Sequence, residues 1–130
     1  HSVAAGHQPF GLEVGGLGCF PGLSRPRVVW TGVQESTGAL AGLQQAVEDG
    51  CARLGFARES RPFTPHLTVG RVRREARGDD LSALGQAVES LQPARCGEMR
   101  VAEVCLFRSD LRPTGAVYTR LAAVGLKGTA

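Results

Sequence analysis

Long apolar runs are missing from this 130-residue sequence. No stretch approaches the ~20 consecutive apolar residues of a helical membrane span, and no charged-then-apolar segment opens the chain as a secretory signal would. A soluble, cytoplasmic protein with no membrane partner is the expectation. The four cysteines, Cys19, Cys51, Cys96 and Cys105, form no C-x-x-C pair, which argues against a structural zinc site and against a disulfide framework. Cys51 and Cys105 fall in apolar patterns and read as buried thiols. The 18 glycines follow no three-residue period and no heptad run persists, so collagen and coiled coil are excluded. The length suits one domain, residues 1–130.

Lysine is almost absent. Lys127 is the single lysine among 15 basic residues, so 14 are arginine. Their placement is uneven. Residues 53–77 hold seven arginines against Glu59 and Glu75, a net charge of +5, while the rest of the chain carries −2. A basic segment on a mildly acidic body suits a phosphate-bearing partner. Arginine fits that partner because its planar fork meets phosphate oxygens two at a time.

Periodicity predicts an α+β domain with a mixed or antiparallel sheet and flanking helices. Strands are expected at 10–14, 27–33, 66–72, 99–107 and 117–124. The pair Gly15-Gly16 and the run Gly18 to Gly22 should break the chain after the first of these. A helix is expected from a Ser36 or Thr37 cap to Leu54, with the stripe Leu40, Leu43, Val47, Cys51 and Leu54 buried and Gly55 beyond its end. A second should run from Asp79 or Asp80 to Leu91, stopped by Pro93. Strand 99–107 has apolar residues on both faces, which predicts cover on both sides.

The segment Arg61-Pro62-Phe63-Thr64-Pro65-His66-Leu67-Thr68-Val69-Gly70-Arg71 carries the chemistry. On a strand, His66 and Thr68 point to one face, and Leu67, Val69 and Arg71 are expected on the other. A histidine exchanges protons near neutral pH, and a threonine hydroxyl donates to an oxyanion. Arginines at the strand end add positive charge. Such a set handles a phosphate ester without a metal or other cofactor.

With Gly16-Leu17-Gly18-Cys19-Phe20-Pro21 and Arg25-Pro26-Arg27-Val28-Val29-Trp30 upstream, and Leu106-Phe107-Arg108-Ser109 and Gly115…Tyr118 downstream, the sequence resembles the two-histidine phosphoesterase family. Within it, the similarity is to the RNA 2′,3′-cyclic phosphodiesterases, also called 2′-5′ RNA ligases. The resemblance implies a two-lobed fold around a central cleft and two H-x-T/S-x motifs, one per lobe. It implies a metal-independent enzyme in which one histidine is general base and the other general acid. Its substrates would be RNA ends or small cyclic nucleotides, opened to a 2′-phosphomonoester, with reversible 2′-5′ RNA ligation by the same residues. His66 would be the base, Thr68 would hold a phosphate oxygen, and Phe63, Arg71 and Tyr118 match substrate-binding positions. A monomer is expected.

The chain departs from the family at its start. His1, in His1-Ser2-Val3, and His7, in His7-Gln8-Pro9, do not fit H-x-T-x, and no methionine opens the sequence. The expectation is a domain that lacks the N-terminal segment with the first motif, and a 130-residue chain that is inactive or nearly so. The competing reading is a non-catalytic module that binds RNA or nucleotide phosphate through its arginines.

Overall fold

A computed structural model describes residues 2–128. The elements are α1 (Ser2–Ala5), β1 (Phe10–Phe20), β2 (Val28–Gln34), α2 (Ala39–Arg53), β3 (His66–Arg71), α3 (Gly78–Ser90), β4 (Gly97–Val101), β5 (Glu103–Arg112) and β6 (Gly115–Gly125). The fold is α+β. Its contacts divide it into two compact units, one of residues 2–10, 37–61 and 100–128, the other of residues 11–36 and 62–99. Among the described residues no helix is long and apolar enough to cross a membrane.

The first unit joins α1 and α2 to the β5–β6 ribbon, an antiparallel pair turned at Pro113-Thr114. Ala4, Leu43 and Leu126 form its buried cluster, with Val3, Phe10, Val101, Val104 and Val124 packed against them. Helix α2 is capped by Gly38, in the left-handed region at φ 83°. The expected cap, Thr37, acts from one residue further out: the Ala39 N–H donates to its Oγ1 at 3.4 Å. Gly55 ends the helix at φ 91°, its N–H on the Ala52 carbonyl, as a C′ glycine should. The buried stripe is narrower than the spacing predicted. Leu43 is buried, but Val47, Cys51 and Leu54 are exposed.

In the second unit the sheet order is β3-β2-β1-β4. Strand β1 does not stop at Val14. It runs on to Phe20 because Gly16 is absorbed as a bulge, at φ 69°, between the pairs Gly15↔Gly32 and Leu17↔Thr31. Glycine alone adopts that backbone freely. The buried Thr31 hydroxyl donates to the Gly16 carbonyl at 2.8 Å and satisfies it. Helix α3 buries Leu81, Gly85 and Val88, as its period requires, while Leu91 is exposed. Its cap is Arg77 rather than an aspartate. Asp79 and Asp80 sit in the first turn instead, where the helix dipole favours negative charge.

The strand expected over 99–107 is two strands. β4 belongs to the four-stranded sheet and β5 to the ribbon, with a break at Ala102, whose carbonyl accepts from the Leu126 N–H at 2.8 Å. Cover on both sides is not found there: Leu106 and Phe107 are 61% and 52% exposed. The cysteine reading is corrected in part. Cys51 is exposed and Cys105 half-buried, while Cys19 is the buried thiol, and burial pushes its pKa up.

Gly85 marks the tightest approach in the second unit, where the backbone at Leu23 lies directly on α3. A Cβ there would collide with the Leu23 carbonyl oxygen, whereas one at Gly11 would meet nothing within 4 Å. Gly85→Val is therefore expected to cost about 1–3 kcal/mol by overpacking, a fall of roughly 4 °C or more in Tm. Gly11→Ala should leave the Tm within about 2 °C. Calorimetry on both variants checks the contrast.

Candidate active site

Among the described residues strand β3 is the edge of its sheet and is hydrogen-bonded to β2 alone. Antiparallel register places His66 opposite Gly32, Thr68 opposite Trp30 and Arg71 opposite Val28. Residues opposite each other point to the same side of a sheet. Gly32, Trp30 and Val28 alternate along β2 and share one side, so His66, Thr68 and Arg71 share it too. This overturns the expectation that Arg71 faces away. The ladder steps from Val29↔Gly70 directly to Trp30↔Thr68, leaving Val69 as an extra residue. A bulge of this kind resets the alternation beyond it and turns Arg71 to the side of the histidine.

His66 is fixed from two directions. Its Nδ1 lies 2.6 Å from the Thr64 carbonyl oxygen. A carbonyl can only accept, so Nδ1 carries the hydrogen, and in the neutral ring Nε2 keeps the lone pair. The Pro65 carbonyl in turn accepts from the Val33 N–H at 3.2 Å, which ties the strand entry to β2. Two aromatic rings hold the imidazole. Phe20 meets it nearly perpendicular, at a centroid distance of 5.0 Å and 85°, and Trp30 lies at 5.9 Å and 55°. Phe20 and Trp30 also contact each other at 5.2 Å. Edge-to-face and offset geometries of this kind are the favoured ones.

The Trp30 ring lies across β1 because Gly18, its partner there, has no side chain. A Cβ at Gly18 would overlap the indole. Indole Nε1 is buried and has no hydrogen-bond partner among the described residues. This aromatic seat was missed in the sequence. Its signal was present in the alternation that puts Gly18 and Phe20 on one side of an extended β1, and it was hidden by reading that strand as ending at Val14.

His66, Thr68 and Arg71 are all exposed. Among the described residues Arg71 has no carboxylate partner, whereas Arg61 is taken up by Glu59 at 2.7 Å and Arg58 by Asp49 at 2.6 Å. The hydrogen bonds from Arg61 hold Glu59 down at about 2. Arg53, Arg58 and Arg61 belong to the first unit and Arg71, Arg73, Arg74 and Arg77 to the second. Phe63 is 47% exposed, in the irregular stretch before β3. Tyr118 is 67% exposed on β6, opposite Ser109 in the first unit.

The arrangement offers a lone pair on Nε2, a hydroxyl one strand period away and a guanidinium on the same face. It can take a proton from a nucleophile beside a phosphoryl group and stabilise the charge on that group. Long-range proton–nitrogen NMR spectra of the neutral His66 ring should show Nδ1 protonated. A ring protonated on Nε2 would contradict the reading.

Comparison with known proteins identifies the family. The profile of the 2′-5′ RNA ligase superfamily matches residues 1–113. An RNA 2′,3′-cyclic phosphodiesterase of Methanothermobacter thermautotrophicus is 41% identical over 114 residues, 88% of this chain and 59% of that protein. One of Archaeoglobus fulgidus is 39% identical over 88% of this chain and 61% of its own. The chain thus spans about 60% of the length of these relatives. Among solved structures, TT0787 of Thermus thermophilus superposes with a TM-score of 0.70 at 31% identity, covering 100% of this chain and 67% of that one. E. coli LigT complexed with 3′-AMP gives 0.70 at 26% identity, covering 96% and 65%. The chain belongs to the 2′-5′ RNA ligase superfamily.

Proposed function

We propose that the His66–Thr68 site opens RNA 2′,3′-cyclic phosphates to 2′-phosphomonoesters. One observation carries this reading: His66, with Nε2 left free by the Thr64 bond, shares a sheet face with Thr68 and, through the bulge, with Arg71. Family membership and the names of the relatives, RNA 2′,3′-cyclic phosphodiesterases, supply the reaction. A relative's structure complexed with 3′-AMP is consistent with a nucleotide ligand.

In this reading Nε2 of His66 takes a proton from water as the water oxygen attacks phosphorus. The bond from phosphorus to the 3′ oxygen breaks, and a second acid protonates that oxygen. Thr68 Oγ1 donates to a non-bridging oxygen as charge builds on it, and Arg71 adds positive charge. Neither proton transfer calls for a metal. When a 5′-hydroxyl replaces water, the same steps form a 2′-5′ linkage. The second acid is the histidine of the family's other H-x-T/S-x motif, which neither His1 nor His7 matches. Phe63 and Tyr118 would stack on bases. A cytoplasmic, monomeric enzyme belongs to the same proposal.

Two outcomes are expected. The 130-residue chain should hydrolyse a 2′,3′-cyclic nucleotide at no more than a trace rate, and robust turnover would contradict the need for a second motif. In a longer polypeptide carrying both motifs, His66→Ala should lower kcat by about 10²–10⁴-fold, the usual worth of a general base, with nucleotide binding largely kept. Unchanged turnover would assign the chemistry elsewhere.

A further inference from the structure

Arg27 is spent on structure, and what it holds in place is a cationic loop. Half-buried at the entry to β2, its guanidinium donates from Nη1 to the carbonyls of Arg73 at 3.3 Å and Ala76 at 3.4 Å. Its own carbonyl accepts from the Val72 N–H at 2.9 Å, and the Ala76 N–H closes a turn onto the Arg73 carbonyl at 3.2 Å. The loop after β3 is therefore fixed through its backbone. The side chains of Arg73 and Arg74 are left exposed, and neither meets a carboxylate among the described residues. By contrast, Arg58, Arg61, Arg95, Arg108 and Arg120 each do. Glu75 is the acidic residue within the loop, and Asp79 and Asp80 come next in α3.

Reach decides what these arginines can touch. At about 3.3 Å per strand residue, Thr68 lies about 7 Å from His66 and Arg71 at most about 17 Å away. Arg71 can thus extend back toward a phosphate held at Thr68. Arg73 and Arg74 stand five and six residues beyond Thr68, past the end of the strand. A 2′,3′-cyclic phosphate terminates an RNA at its 3′ end, so every neighbouring phosphate lies on the 5′ side. We propose that the Arg27-braced loop, through Arg73 and Arg74, is a second phosphate subsite that holds the phosphates 5′ to the reacting end. It makes the site's preferred ligand an oligonucleotide end rather than a free cyclic mononucleotide. This inference rests on the reading of the His66 site given above.

The test is binding, by anisotropy or calorimetry, of the 130-residue chain to 2′,3′-cyclic AMP and to short RNAs of two to six nucleotides ending in a 2′,3′-cyclic phosphate. Affinity should rise over the first two or three added nucleotides and then level off. The logarithm of the binding constant should fall against log salt more steeply for the oligonucleotides, by about 0.7 per added phosphate contact. The double substitution Arg73→Gln with Arg74→Gln should weaken oligonucleotide binding about tenfold, leave cyclic AMP binding within twofold and leave the Tm unchanged. Equal affinity for mononucleotide and oligonucleotides would overturn the proposal, as would equal loss for both ligands in the variant. An oligonucleotide ending in a 3′-hydroxyl that binds as tightly, with the same arginine dependence, would uphold the subsite and sink the cyclic-phosphate reading of His66.

Discussion

Among the described residues strand β3 hangs on β2 alone, and its register there governs the site. Slipping one residue would carry every side chain to the opposite face. The aromatic seat blocks such a slip, because Trp30 and Phe20 close on the His66 ring only when Gly32 is opposite it. The bulge at Val69 then lets an arginine five residues on join the same face, which an unbroken strand forbids. The glycines of β1 serve the same register. Gly18 makes room for the indole, and Gly16 lets the strand extend far enough to place Phe20.

Electrostatics in this chain is divided between the two units. The arginines of the first unit mostly meet nearby carboxylates, as Arg58 does with Asp49 and Arg61 with Glu59. Exposed pairs of that kind contribute little to stability, but they neutralise charge where it stands. In the second unit Arg71, Arg73 and Arg74 keep theirs, close in sequence to the histidine that a phosphoryl group would approach. The +5 of residues 53–77 counts arginines of both units, some paired with carboxylates and some not among the described residues.

Much of this was legible in the sequence. The α+β class, the position of β3 and the pairing of His66 with Thr68 on one face follow from alternation and turn residues alone. The Pro-His-Leu-Thr segment and its neighbours pointed to the right family. What stayed hidden were departures from strict period. A bulge leaves no mark in composition, so Gly15-Gly16 read as a strand end and Arg71 as facing away. Helix α2 shows the same limit: its apolar spacing implied a broad buried stripe, but the fold covers Leu43 and leaves Val47 and Leu54 to solvent. Strand 99–107 read as one because nothing local marks the break at Ala102. Only tertiary pairing, β4 with β1 and β5 with β6, divides it.

The proposed site works only if His66 and Thr68 receive one phosphoryl group between them, with the imidazole presenting Nε2. A crystal structure of the chain with adenosine 2′-phosphate, the product type that the proposed reaction releases, tests this most directly. The phosphate should lie within hydrogen-bond distance of both His66 Nε2 and Thr68 Oγ1, with Nδ1 still on the Thr64 carbonyl and Arg71 turned toward the anion. A phosphate bound away from this face, or a His66 ring flipped to present Nδ1, would contradict it.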